Sequence, residues 1–205
     1  IIFQLIAMLA YSGGTLFDPY SNGYSFSRNF FSDLGRIEGF SGNINYIPAI
    51  FFNMSLIIAG IVFVIFYINT RNIFVEYNHM GLAMVGSLFG VLAGISLAGV
   101  GLSPADLFLP LHIVSAKWLF RCFFGASICY SIIIYRSNIF GNKYALGYLM
   151  FACSILAYIF ISEFGPSPKE SELSLTIQVI SQKIIVLILL SAVYIQTVGL
   201  QKLRR

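Results

Sequence analysis

Apolar residues run in long blocks separated by short polar stretches, and the length of the blocks decides how they are read. A membrane-spanning helix needs about 20 apolar residues. Five runs reach that length, at about 47–69, 79–102, 111–135, 144–163 and 176–200. A sixth, shorter run at about 1–14 opens with 1-IIFQLIAMLAY-11. It reads as a helix already under way, as though a few residues preceded it, and it lacks the layout of a cleavable signal peptide. Connections are short except for 15–46, which carries Gly, Ser, Asn, Tyr and Phe and no long apolar run. A connection that long is a candidate functional cap. Its aromatics (Tyr20, Tyr24, Phe26, Phe30 and Phe31) suit it to the membrane interface or to the bundle surface. The pattern predicts an all-α integral membrane protein: a six-transmembrane-helix bundle, one domain over 1–205, with an extended outer loop between helices 1 and 2.

Composition agrees. Of 205 residues, 58% are hydrophobic and 10% charged, and the mean hydropathy is +0.86. Soluble domains carry about 25% charged residues. The net charge of +4 is no nucleic-acid signature, because the basic residues do not cluster on a polar domain. They report orientation instead. Arg71, Arg136, Lys143, Lys202, Arg204 and Arg205 fall on one side and Arg28, Arg36 and Lys169 on the other. The basic-rich side is expected to be cytoplasmic. Both termini then face the cytoplasm and loop 15–46 the outer side. The outer side is also the acidic one, with Asp18, Asp33, Glu38, Asp106, Glu163, Glu170 and Glu172 against Glu76 inside. Cys122, Cys129 and Cys153 have no metal-ligand spacing and read as small buried hydrophobes.

Within the third run, 81-GLAMVGSLFGVLAGISLAGVG-101, Gly86, Gly90, Gly94 and Ala98 recur every fourth residue. Such a stripe lets another backbone approach closely. It serves tight packing inside the bundle, with Gly60 on the opposing surface, or alternatively a face toward a second copy or another membrane subunit.

The fourth run contains 115-SAKWLFRCFF-124. Lys117 and Arg121 are spaced to share one helix face. With a helix start at Leu111 they lie about 9 Å and about 15 Å deep. A charge near the bilayer centre costs about 2.5–3.5 kcal/mol, so each needs a partner, water or a ligand. Lys117 can snorkel outward; Arg121 can do so only with difficulty. The sixth run adds Gln178, Gln182 and Lys183 at similar depth. Asp106 and His112 flank the start of the fourth run, where 103-SPAD-106 resembles a capped helix start. Glu163 ends the fifth run, Asp33 lies in 28-RNFFSDLGR-36, and Asn45 and Asn53 flank the start of the second. Three readings follow. The ions form an internal network that locks helices and loop, they line a cavity for an anionic head group or small anion, or they form a catalytic or proton-relay site. Glu163 is the expected partner of Arg121, with Asp33 second. No motif points to a metal, a cofactor or a known reaction. The two histidines, His79 and His112, are expected on opposite sides of the membrane.

A loop bearing 29-NFFSDLG-35, an Asn in 51-FFNMSLIIAG-60, a glycine-rich third span and 100-VGLSPADLFLPLH-112 together resemble a group of prokaryotic six-span membrane proteins. That group is known only as a conserved domain of unknown function. It is similar in turn to the eukaryotic damage-regulated autophagy modulator family. The matching positions are Ser32, Asp33, Gly35, Asn53, Asp106 and His112. The resemblance implies membrane and lipid regulation rather than catalysis. The expectation is a non-enzymatic membrane protein that binds an anionic lipid head group or small anion at Lys117, Arg121, Lys183, Gln182, His112, Asp106, Asp33, Glu163 and Asn53. Its expected partners are membrane lipids. An accessory subunit of a larger membrane complex is one alternative, and a transporter or intramembrane enzyme another.

Overall fold

A computed structural model describes residues 1–74, 80–137 and 141–203. Glu76, His79, Arg204 and Arg205 lie outside the described residues. The elements, in order, are α1 (Ile2–Ala10), a 3₁₀ segment (Phe31–Gly35), α2 (Tyr46–Ile73), α3 (Met80–Leu102), α4 (Leu109–Ser137), α5 (Asn142–Phe164) and α6 (Glu172–Leu203). No strand occurs among the described residues, only an isolated bridge between Glu38 and Ile44 in the loop. Five helices, α2 to α6, are long and apolar enough to cross a membrane. Their outward faces carry side chains such as Ile61, Leu88, Met150 and Leu187, each at least 53% exposed. So much contiguous apolar surface requires a bilayer rather than water.

The first run departs from expectation. Instead of a helix to residue 14, α1 ends at Ala10 after nine residues, about 13 Å. The cause lies just beyond it. Gly13 and Gly14 adopt φ of +100° and +85°, a conformation that side-chain-bearing residues avoid. They turn the chain back under the loop, where a Cβ on Gly14 would strike Phe40 and Ser41.

The start of α4 also differs. The Ser103 hydroxyl donates to the Gly99 carbonyl at 2.6 Å rather than capping a new helix. Residues 104–107 form a single turn, closed by the Leu107 and Phe108 amides on the Pro104 carbonyl. The helix itself begins at Leu109, with Pro110 in its first turn, where a missing N–H costs nothing.

Consecutive helices pack on one another from α1 to α6, and the 3₁₀ segment touches both α2 and α6. The loop therefore bridges the two ends of an arc. Close approach of α3 to its neighbours rests on the glycine stripe. A Cβ on Gly94 would meet the Gly60 carbonyl oxygen at 2.7 Å, one on Gly90 would enter the Tyr67 ring, and one on Gly86 would meet Cys129 of α4 at 2.9 Å. The stripe is spent inside the chain, against α2 and α4. At the far end from the loop, Tyr130 stacks on Tyr148 at 5.9 Å. The Ser87 hydroxyl meets the Tyr130 hydroxyl at 2.6 Å and donates to the Tyr67 carbonyl at 2.8 Å. Cys122 and Cys129 are buried, but Cys153 is exposed: it sits on the outward face of α5, one residue past the buried Ala152.

Candidate functional site

Lys183 lies eleven residues beyond Glu172, the first residue of α6, a distance of about 17 Å along the helix. Lys183 is 2% exposed, and its ammonium donates to the Asn29 carbonyl oxygen at 2.6 Å. The loop is thus a plug that enters the mouth of the bundle, not a cap lying over it. Irregular backbone at such depth cannot leave its polar groups unpaired. Polar side chains of the neighbouring helices and of the turns that lead into them meet those groups one after another. The Gln182 carbonyl oxygen accepts from the Phe31 amide at 2.8 Å. The Asn53 amide donates to the Gly35 carbonyl at 3.0 Å. The Asp106 carboxylate accepts from the Ile37 and Glu38 amides, both at 2.9 Å. Asn45 donates to the Leu34 and Arg36 carbonyls at 3.2 and 2.9 Å and accepts from the Ser12 amide at 3.1 Å.

Inside the plug, Asn29 accepts from the Ser25 amide at 2.9 Å and donates to the Gly14 carbonyl at 3.0 Å. Asp33 accepts from the Phe30 amide at 2.7 Å. Burial pushes the Asp33 carboxyl up to about 6, against the opposing pull of that amide, Arg36, Asn29 and Lys183. Burial likewise raises the Tyr24 phenol. The rings of Tyr24, Phe26 and Phe31 surround the Lys183 ammonium at 5.3, 4.9 and 5.0 Å, within cation–π range. Glycine at 35 is required because a Cβ there would collide with Asn53.

Lys117, Arg121 and Lys183 do not line one cavity. Lys183 is beneath the plug. Arg121 pairs with Glu163 at 2.6 Å, with the side chains 39% and 20% exposed; this is the partner that depth and side point to. Lys117 is exposed. His112 is buried, with Nδ1 at 2.7 Å from the Ser103 carbonyl, a packing role at the start of α4. Arg28 in the loop reaches Glu172 at 3.2 Å, a second tether of the plug to α6.

A cavity of about 1060 Å³ opens between α2, α4 and α6 below the plug. Phe52, Ala59 and Phe63 of α2, Ala116 and Phe120 of α4, and Val186 and Leu190 of α6 form its wall. Gln4, Ser32, His112 and Gln182 supply polar groups toward the loop end, and Gln196 and Thr197 toward the other. Among the described residues, no Asp, Glu, Lys or Arg lines it. The cavity expected at Lys117 and Arg121 is therefore one helix face away, because Ala116 and Phe120 turn inward where those two cations turn out.

Residues 5–195 match the model of a family described as a protein of unknown function, DUF998. The chain belongs to that family. No curated protein and no solved structure matches it. In this DUF998 protein, the positions that carried the resemblance, Asp33, Gly35, Asn53 and Asp106, build or hold the plug, while His112 fixes the α4 start beside it. Asn29, Asn45 and Gln178 were not among the sequence-predicted site residues. Gln178 donates to the Ile161 and Pro166 carbonyls at 2.7 and 3.1 Å. The signal that finds such residues is an amide side chain near the end of a span, which must satisfy some backbone that is not helical.

Proposed function

We propose that this DUF998 protein is a non-enzymatic multi-pass membrane protein that binds a lipid. Its tail lies in the cavity between α2, α4 and α6, and its polar end lies toward the plug. The observation that carries this reading is the apolar cavity of about 1060 Å³, at the upper end of the roughly 300–1,000 Å³ of small-molecule sites. A cavity at this depth draws its occupant from acyl chains, and its charge-free wall suits one. The uncharged groups of Ser32, His112 and Gln182 suit ester or hydroxyl oxygens. The resemblance to proteins of membrane and lipid regulation points the same way. The asymmetry of Lys and Arg supports a loop on the outer side, with both termini cytoplasmic.

Mass spectrometry of the protein released intact from native membranes tests the reading. The parent should carry a retained lipid. Ala116→Phe, which fills the cavity from α4, should lose it while keeping the thermal transition. Equal retention in parent and variant, or a parent that carries none, sinks the proposal. A second reading, an accessory subunit of a membrane complex, is favoured by one observation: the polar side chains of the spans are largely consumed within the chain. It predicts a protein subunit in place of the lipid in the same spectra. Labelling from outside should modify a cysteine placed at Ser21 and spare one placed at Gln201; the reverse pattern inverts the orientation.

A further inference from the structure

We infer that Lys117 and Arg121 form a contact site for the phosphate of an anionic phospholipid, on the lipid-facing edge of α4 beside the end of α5. This goes beyond the cavity reading and does not depend on it, since neither residue lines the cavity.

The positive charge on this edge of α4 exceeds the negative charge paired with it. Lys117 is eight residues from Leu109, the first residue of α4, about 12 Å along the helix. Its side chain is exposed, and it has no hydrogen bond or ion pair among the described residues. Arg121, one turn further on the same face, gives one Nη to Glu163. The Arg121 side chain remains 39% exposed, and only one of its nitrogens bonds to Glu163. Two cations and one carboxylate leave a net single positive charge on the edge of a span. The acids of the adjoining chain are engaged elsewhere. Glu172 holds Arg28, Glu170 accepts from the Ser167 amide at 3.2 Å, and Asp106 holds the plug. Apart from Glu163, no acid among the described residues pairs with either cation, and a head-group phosphate supplies the missing counter-charge. A lysine that snorkels meets the head-group phosphates, and an arginine presents forked donors that match a phosphate. Trp118 beside them is 55% exposed, in the manner of residues that settle at the membrane interface.

The test uses the full chain in lipid nanodiscs made from phosphatidylcholine with a minority of phosphatidylglycerol, followed by mass spectrometry of the lipids that remain bound after release. The parent should be enriched in phosphatidylglycerol. Lys117→Gln should lower the enrichment about five-fold, the weight of one cation at an anionic bilayer surface. Lys117→Arg should keep it. Ala116→Phe should also keep it, which separates failure of this site from failure of the cavity. Enrichment unchanged in Lys117→Gln overturns the assignment. Loss of bound phosphatidylglycerol on adding inorganic phosphate also overturns it, because a free anion would then be the ligand.

Discussion

The Lys183 ammonium donates to the Asn29 carbonyl oxygen at 2.6 Å, joining residues 154 apart in sequence. This one bond ties α6, about a third of the way along it, to the loop, and the rings of Tyr24, Phe26 and Phe31 close around it. Lysine suits the place because it brings several donors on a flexible stem to a carbonyl that no helix can satisfy. Lys183→Met keeps the volume and removes the donor. A hydrogen bond to a charged group is worth about 1.5–3 kcal/mol. Hydrogen exchange of the amides in 25–35 should accelerate about ten-fold or more, while the amides of α3 stay protected. Equal exchange in the variant would show that the plug does not depend on Lys183.

Asp33 gives the plug a pH dependence. Its carboxyl is raised from 3.8 to about 6, chiefly by burial. A raised carboxyl means that the folded state binds the proton more tightly than the unfolded one. Stability therefore increases as pH falls from 7 through 6 towards 4, by up to about 3 kcal/mol. Asp33→Asn keeps an oxygen to accept from the Phe30 amide and sheds the charge. At pH 7 the variant should be more stable than the parent, and the gap should close near pH 4. Thermal transitions measured across that range decide it. A parent that loses stability on mild acidification, with the variant showing the same loss, would remove Asp33 from the account.

Much of the fold is legible in the run lengths, because a bilayer fixes how many apolar residues a span needs. The small-residue stripe is legible for the same kind of reason. Without water to drive helices together, only small residues allow the contact that Gly60 and Gly94 make. The Arg121–Glu163 pair follows from depth and charge. The plug is not legible, because its partners are backbone atoms. Asn53, Asp106 and Gln182 look like ligand-binding groups in sequence, yet the Gly35, Ile37 and Phe31 peptides they bind carry no sequence signal. The early end of α1 was hidden too. The two glycines that cause it read as ordinary small residues until their positive φ is seen.

Gly90 provides the sharpest test of the packing. A Cβ there would enter the Tyr67 ring, which is 2% exposed and belongs to the main aromatic cluster. Tyr67 cannot swing away without disturbing Phe63 and Tyr130. Gly90→Ala should cost about 1–3 kcal/mol, and Gly90→Leu should prevent recovery of a monodisperse protein in detergent. Gly81, where a Cβ would meet nothing among the described residues, is the control, and Gly81→Ala should be neutral. If Gly90→Leu is as stable as the parent, α3 does not lie where the stripe puts it.

Arg121 and Glu163 are a half-buried pair, and the cost of breaking them depends on which partner is removed. Arg121→Met leaves the Glu163 carboxylate, 20% exposed, without its cation. A fully buried pair broken in this way loses about 3–5 kcal/mol and a surface pair about 0–1 kcal/mol. This pair, with the Arg121 side chain 39% exposed, should lose about 1–3 kcal/mol by interpolation between those limits. Removing both charges avoids the stranded carboxylate, so Arg121→Met with Glu163→Gln should recover most of the loss. Thermal transitions of the two single variants and the double variant in one detergent form the cycle. A coupling near zero would mean that the ion pair contributes nothing to the fold. A double variant worse than either single would mean that each charge has a separate partner. Recovery in the double variant assigns Glu163 to Arg121, so that Glu163 is not the counter-charge of Lys117, which has no ion pair among the described residues.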